Sequence, residues 1–327
     1  MILTRPLLRR TVLAAATIAL LTGCGATANN PASAPHEGAQ HSDAGFPRTI
    51  THDKGQTNIP DKPERIVALD NSLVEGVVLL DRPLVGGISS YRDQDGFPDY
   101  LGDAVADTQE VGPLEQPDLE AIAALEPDLI VSATVRHDAL YDELTKIAPT
   151  VFVKTTGPQW RENITFLGET LGAENQAAQH LADYKKRAKT IGDAINAQAD
   201  NPTISVVRFL DGPTRLMQKA SFIGHILSDA GLRRPASQDV EDFAAEVGEE
   251  QIRLADGDHI FVTTYSGGQA AQERFLRNPL WGQLGGVKAG NVHDVRDEIW
   301  MTSVSVQGAH QVLDDLATTF KVDPARP

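Results

Sequence analysis

The sequence predicts an α/β protein of two lobes with parallel-type sheets joined by a long rigid helix. Three observations predict it. Short continuous apolar runs alternate with amphipathic stretches between residues 65 and 153, and the same alternation restarts at Thr203 and runs to Phe320. Strands that are apolar on both faces and separated by helices belong to parallel sheets covered on both sides. Between the two series lies one unbroken run of good helix formers over 174–199, ended by Asn201-Pro202. At 1.5 Å per residue that run makes a helix of about 40 Å, long enough to cross both lobes.

The elements follow in order. Residues 65–69 read as a strand, 73–80 as a helix and 84–88 as the next strand. A helix over 119–125 stops near Pro127, and a strand at 128–131, a helix at 139–147 and a strand at 150–153 come after it. The helix over 160–171 breaks at Gly172, before the long one begins. In the second series a strand at 203–209 is followed by a hairpin partner at 214–218. The helix over 221–230 has Ser221 as its N-cap and Gly231 just past its end. A strand at 259–264, mostly helical chain over 270–284, a strand at 292–295 and an amphipathic helix over 306–320 complete the lobe. The lobes therefore span 48–172 and 201–327, with the bridging helix at 173–200.

The first 24 residues read as a secretory signal. Arg5, Arg9 and Arg10 precede an apolar run over 11–21, and Leu21-Thr22-Gly23-Cys24 forms a small-residue cleavage box. The apolar run has about 11 residues, against roughly 20 for a spanning helix. The box resembles the lipobox of bacterial lipoproteins. That resemblance implies cleavage before Cys24, lipidation of its sulfur and a lipid-anchored protein on the extracytoplasmic face of the cell membrane. Arg9-Arg10 leaves both the Sec and the twin-arginine export routes open. Residues 25–47 are rich in Ala, Asn, Pro, Gly and Ser, hold no aliphatic side chain larger than Ala, and read as a flexible linker.

The formal charge is −16, which excludes nucleic acid and anionic lipid surfaces as partners and requires a local cationic pocket for any anionic ligand. Cys24 is the only cysteine, so an apolar core and not a disulfide must hold the fold.

Beyond the linker, six segments in order carry a resemblance: RIVALDNSLVEGVVLL, LEPDLIVSA, YDELTKIAPTVFV, WRENITFLGETLG, VRFLDGPTRLMQKASFIGHILSDAGL and NPLWGQLGGVKAGNVHDVRDEIWMTSVSVQGAHQVLDDL. Together they resemble the solute-binding lipoproteins of ABC transporters for iron(III)-siderophores, in particular the actinobacterial group. The resemblance implies the class III periplasmic-binding-protein-like fold, with a ligand held between the lobes and little closure. It also implies a monomer that captures a ferric siderophore and passes it to an ABC permease and its ATPase subunit. No G-x-x-x-x-G-K-[ST] pattern occurs, so that ATPase is another polypeptide.

In open parallel sheets, ligands bind beyond the carboxyl ends of strands. Tyr91 and Arg92 follow the strand at 84–88, Arg136 follows 128–131, Trp160 comes some residues after 150–153, Tyr265 follows 259–264 and Trp300 follows 292–295. Arg208 and Arg215 occupy the second-lobe segment where the resembled family carries basic residues. A caged ferric ion is recognised by the outside of its chelate. Guanidinium donors suit its oxygens, and aromatic faces suit its flat groups. The resemblance also implies one acidic docking residue per lobe for the permease. Glu75 matches in the first lobe, while His225 stands at the second-lobe position, with Asp229 as a nearby substitute. Trp281, at helical spacing from Leu284, reads as core.

No resident cofactor, metal or catalytic residue is expected. Haem or cobalamin is the alternative cargo, with Tyr265 or His137 as an axial ligand for haem. His52, His137, His180, His225, His259, His293 and His310 are scattered, with no metal-ligand spacing for a bare ion. A siderophore esterase is the third reading, but no serine lies in G-x-S-x-G.

Overall fold

The computed structural model describes residues 45–92 and 96–326, all within one compact unit. The expected signal, most of the linker and lipidated Cys24 lie outside the described residues. The first lobe begins with a hairpin of β1 (Arg48–His52) and β2 (Gly55–Ile59), which the sequence reading did not foresee. Its main sheet holds β3 (Ile66–Ala68), β4 (Leu84–Gly87), β5 (Gln109–Glu110), β6 (Leu129–Ala133) and β7 (Thr150–Val153). Their order is β5-β4-β3-β6-β7 and every pair is parallel.

The second sheet holds β8 (Ile204–Phe209), β9 (Thr214–Met217), β10 (Ala244–Val247), β11 (His259–Thr264) and β12 (Val292–Asp294) in the order β10-β9-β8-β11-β12. Its β8, β11 and β12 run parallel, whereas β9 pairs antiparallel with both β8 and β10. The sheet is thus parallel at one side and antiparallel at the other, because β9 returns directly through a short turn.

Seven α-helices of six residues or more lie among the described residues: α1 (Asn71–Leu79), α2 (Leu119–Ala124), α3 (Trp160–Leu171), α4 (Glu174–Ala199), α5 (Phe222–Asp229), α6 (Gln269–Arg277) and α7 (Val306–Phe320). Four of them start on side-chain caps. Asp70 accepts from Ser72 N, Asp118 from Glu120 N and Ala121 N, Ser221 from Gly224 N and Ser305 from Gly308 N. Gly172, at φ 63°, ends α3 in the left-handed conformation and lets α4 start two residues later. With 26 residues, α4 is about 39 Å long. No helix among the described residues is long and apolar enough to cross a membrane.

Two predicted helices are shorter in the structure. The stretch 139–147 contains only a 3-10 turn and the α-turn Tyr141–Leu144. The stretch 270–284 stops at Arg277, because Pro279 cannot continue the ladder, and resumes as a 3-10 turn at Trp281–Gln283. Trp281 is buried against Phe275, as core.

One apolar cluster runs from β3 and β6 through α3 and α4 to β8, α5 and α7. At its centre Trp160 of α3, Tyr184 of α4 and Phe222 of α5 meet edge to face, with ring centroids 5.3 and 5.5 Å apart. Smaller clusters fill the far side of each sheet. The two sheets are therefore packed onto a common core and not hung on a flexible strand.

Candidate functional site

The strand ends of the two sheets face one another across a cleft. From the first lobe come Tyr91, four residues beyond β4, and Arg136, in a single helical turn (Thr134–His137) after β6. From the second come Arg208 on β8, Tyr265 directly after β11, and one π-helical turn (Glu298–Thr302) after β12 that carries Trp300. A π turn widens the helix by one residue and recurs at functional sites.

These side chains form a chain across the cleft. Arg136 lies over the Tyr91 ring at 5.3 Å, Tyr91 meets the Tyr265 ring edge-on at 6.1 Å, and Arg208 lies over Tyr265 at 5.0 Å. Each guanidinium is oriented by a carboxylate. Arg136 Nε donates to Asp70 at 2.9 Å. Arg208 donates through Nε and Nη2 to the two oxygens of Asp297, at 2.8 and 2.7 Å, and Thr263 also donates to Asp297. Burial works against the Arg136 charge, but the charge and hydrogen bond of Asp70 outweigh it and raise its pKa. Nη1 of either arginine takes no part in these bonds. Arg92, exposed, pairs with Glu115 at 2.9 Å and lies over the Tyr91 ring at 5.3 Å, but it lines neither of the cleft's two cavities.

Two cavities open here. One, of about 180 Å³, is lined by Asp70, Arg136 and Thr156 from the first lobe and by Arg208, Met217, Phe222 and Trp300 from the second. The other, of about 450 Å³, is lined by Glu75, Tyr91, Phe97, Tyr100 and Ser303. Asn71, Tyr91 and Thr302 border both, so together they form one divided hollow of the size of a small-molecule site.

A family model described as periplasmic binding protein matches residues 66–299. The chain belongs to the periplasmic binding protein family. Over 287 residues it is 36% identical to the probable siderophore-binding lipoprotein YfiY of Bacillus subtilis strain 168, covering 84% of this chain and 87% of that protein. It is 28% identical over 297 residues to the ferric enterobactin-binding periplasmic protein FepB of Escherichia coli, covering 85% and 92%. Among solved structures, Staphylococcus aureus SirA complexed with staphyloferrin B superposes with a TM-score of 0.77 at 28% identity, over 85% of this chain and 99% of that one.

Within this binding protein, not every sequence-derived candidate reaches the hollow. Trp160 is 1% exposed and is spent on the core between the lobes, since α3 turns its first residue inward onto Tyr184 and Phe222. Arg215 stands opposite Arg208 in the β8–β9 ladder but pairs with Glu246 at 3.0 Å and lines neither cavity. Trp300 is fully buried, stacked on Phe261 at 4.7 Å with Nε1 donating to Asp315, so it meets the smaller cavity from within the core.

Glu75 is corrected most. It is 0% exposed and has no surface to offer a permease, because α1 packs it against the segment leading into α7. Ser303 and Ser305 both donate to its Oε2, Gln307 donates to its backbone carbonyl at 2.8 Å, and Oε1 has no hydrogen-bond partner. Burial pushes its carboxyl up to about 7, against the Ser305, Tyr100 and Ser303 hydroxyls, which favour the charge. Asp229 is likewise engaged, by Arg161 and by the Tyr184 hydroxyl. His137 is unsuited to hold haem, since Ser132 and the Leu114 carbonyl occupy its two ring nitrogens at 2.9 and 2.7 Å.

Several site residues escaped the sequence reading. Asp70 and Asn71 follow β3, Thr156 follows β7 and Asp297 follows β12. The strand-end rule that selected Tyr91 would have reached them had it not been restricted to basic and aromatic types.

Proposed function

We propose that this protein is the solute-binding component of an ABC importer, that it captures a ferric siderophore between its lobes, and that it is a monomer tethered outside the cell membrane through lipidated Cys24. It binds and releases its cargo without catalysis, and a membrane permease with a separate ATPase subunit moves it inward. The observation that carries the reading is the row Arg136–Tyr91–Tyr265–Arg208, in which Tyr265 lies behind the lining and Arg136, Tyr91 and Arg208 bring donors and a ring from both lobes to one hollow. Each pre-oriented guanidinium keeps an Nη1 edge outside its ion pair, suited to the oxygens on the outside of a ferric chelate. Close relatives named for siderophore or ferric citrate binding support the same cargo class.

Trp300 borders the smaller cavity, so its fluorescence serves as the readout. Titration of the mature protein with ferric hydroxamate, catecholate and citrate complexes should give saturable quenching with a Kd below about 1 μM for at least one class. Absence of saturable binding to all three would refute the reading. A Soret shift with hemin at equal or lower concentration would replace the cargo with haem.

A further inference from the structure

The charge balance of the hollow points away from a strongly anionic cargo. The two arginines lining the smaller cavity already face carboxylates, Arg136 with Asp70 and Arg208 with Asp297, and Arg92, which lines neither cavity, is paired with Glu115. The arginine pairs thus add no net positive charge, and the chain around them carries −16. An anionic complex entering this site gains hydrogen bonds but meets a field of its own sign.

The larger cavity is built for the opposite charge. Its one arginine, Arg296, is bonded to Glu298 at 3.0 Å. That leaves Glu75 and Asp99 as its remaining charged groups, beside the rings of Tyr91, Phe97 and Tyr100. Rings and carboxylates around one space are the recognition chemistry of an alkylammonium group. Glu75 supplies the second, independent observation. It is fully buried, it lines this cavity, and its Oε1 lacks a hydrogen-bond partner. An unsatisfied buried carboxylate oxygen is costly until a donor reaches it.

Resting on the siderophore reading above, we infer that the cargo is a ferric chelate bearing a positively charged amine arm, and that this arm seats in the cavity of Glu75, Asp99, Tyr91, Phe97 and Tyr100 while the iron cage lies against Arg136 and Arg208. The ammonium donates to Glu75 Oε1 and packs among the rings. Tyr91, which borders both cavities, separates the arm from the cage. Seating the cation holds Glu75 in its carboxylate form, so binding releases a proton from whatever fraction was protonated.

Ferrioxamine B and its N-acetyl derivative make the test. Both wrap iron in the same three hydroxamates, and they differ by one terminal ammonium turned into a neutral amide. Quenching titrations slightly above neutral pH and at low salt should show the ammonium form binding at least tenfold more tightly. That ratio should fall to about twofold or less in Glu75→Gln. Asp99→Asn, at an exposed position where folding is not at risk, should lower the ratio in the same direction. A ratio near one in the unaltered protein overturns the inference, as does a ratio that survives both substitutions. Failure of both chelates while another ferric chelate binds also overturns it and leaves the siderophore reading standing. If no ferric chelate of any class binds, the siderophore reading falls and takes the amine subsite with it.

Discussion

At the scale of single residues, Arg136 and Arg208 face each other across the cleft and are held by different means. Arg208 is 7% exposed and locked by two parallel bonds to Asp297, whereas Arg136 is more open and shares Asp70 with the cap of α1. A charge-assisted hydrogen bond to a ligand oxygen is worth about 1.5–3 kcal/mol. Arg136→Met and Arg208→Met should therefore each weaken ferric chelate binding by roughly ten- to a hundredfold in a quenching titration. Arg215→Met should stay within about twofold, because its side chain lines neither cavity. Arg208→Met should also lower stability by about 1–3 kcal/mol in urea unfolding, since Asp297 would keep only Thr263 as a donor. Equal losses in all three variants would mean that the cleft acts through bulk charge and not through these two contacts.

Among the elements, the long helix depends on a glycine. A Cβ at Gly192 of α4 would lie 1.7 Å from the Ala230 carbonyl oxygen, at the end of α5. Alanine there gains about 1 kcal/mol of helix propensity but forces two packed backbones apart. Gly192→Ala should lose about 2 kcal/mol net and drop Tm by roughly 5 °C in calorimetry, whereas a stabilised variant would show that the helices slide apart at little cost. Long elements of this kind were legible in the sequence. The spans 160–171, 174–199 and 306–320 have enough turns for their apolar spacing and stops to declare them. Short ones were not. The β1–β2 hairpin buries only Ile50 and Ile59 of its ten residues, and β10 fully buries only Val247, so neither presents a periodic pattern.

At the scale of the whole molecule, strand ends could be placed from sequence, and with them Tyr91, Arg136, Arg208 and Tyr265. What packs between the lobes could not, because burial there is decided by residues distant in the sequence, Phe222 for Trp160 and Ser303 and Ser305 for Glu75. Trp160 and Glu75 are the two cases, and Glu75 tests the seam directly. Its carboxyl titrates at about 7 in the fold, against 4.5 for an ordinary glutamate, with burial as the main cause and Asp70 adding to it. The hydroxyls of Ser305, Ser303 and Tyr100 act the other way, and Gln307, from α7, touches only the Glu75 backbone. Between those two pH values the folded chain keeps a proton that the unfolded chain has released, so stability from this group falls as pH rises. The penalty is absent below about 4.5 and complete above about 7, where it is on the order of 3 kcal/mol. Glu75→Gln keeps an acceptor for the serines and removes the titration. Its Tm should therefore rise relative to the unaltered protein between pH 5 and pH 8, by several degrees at the upper end. All other titrating groups are common to both proteins, so the difference isolates Glu75. A Tm difference that stays flat across this range would mean that the carboxyl is hydrated in solution, and that the seam between the lobes stands open.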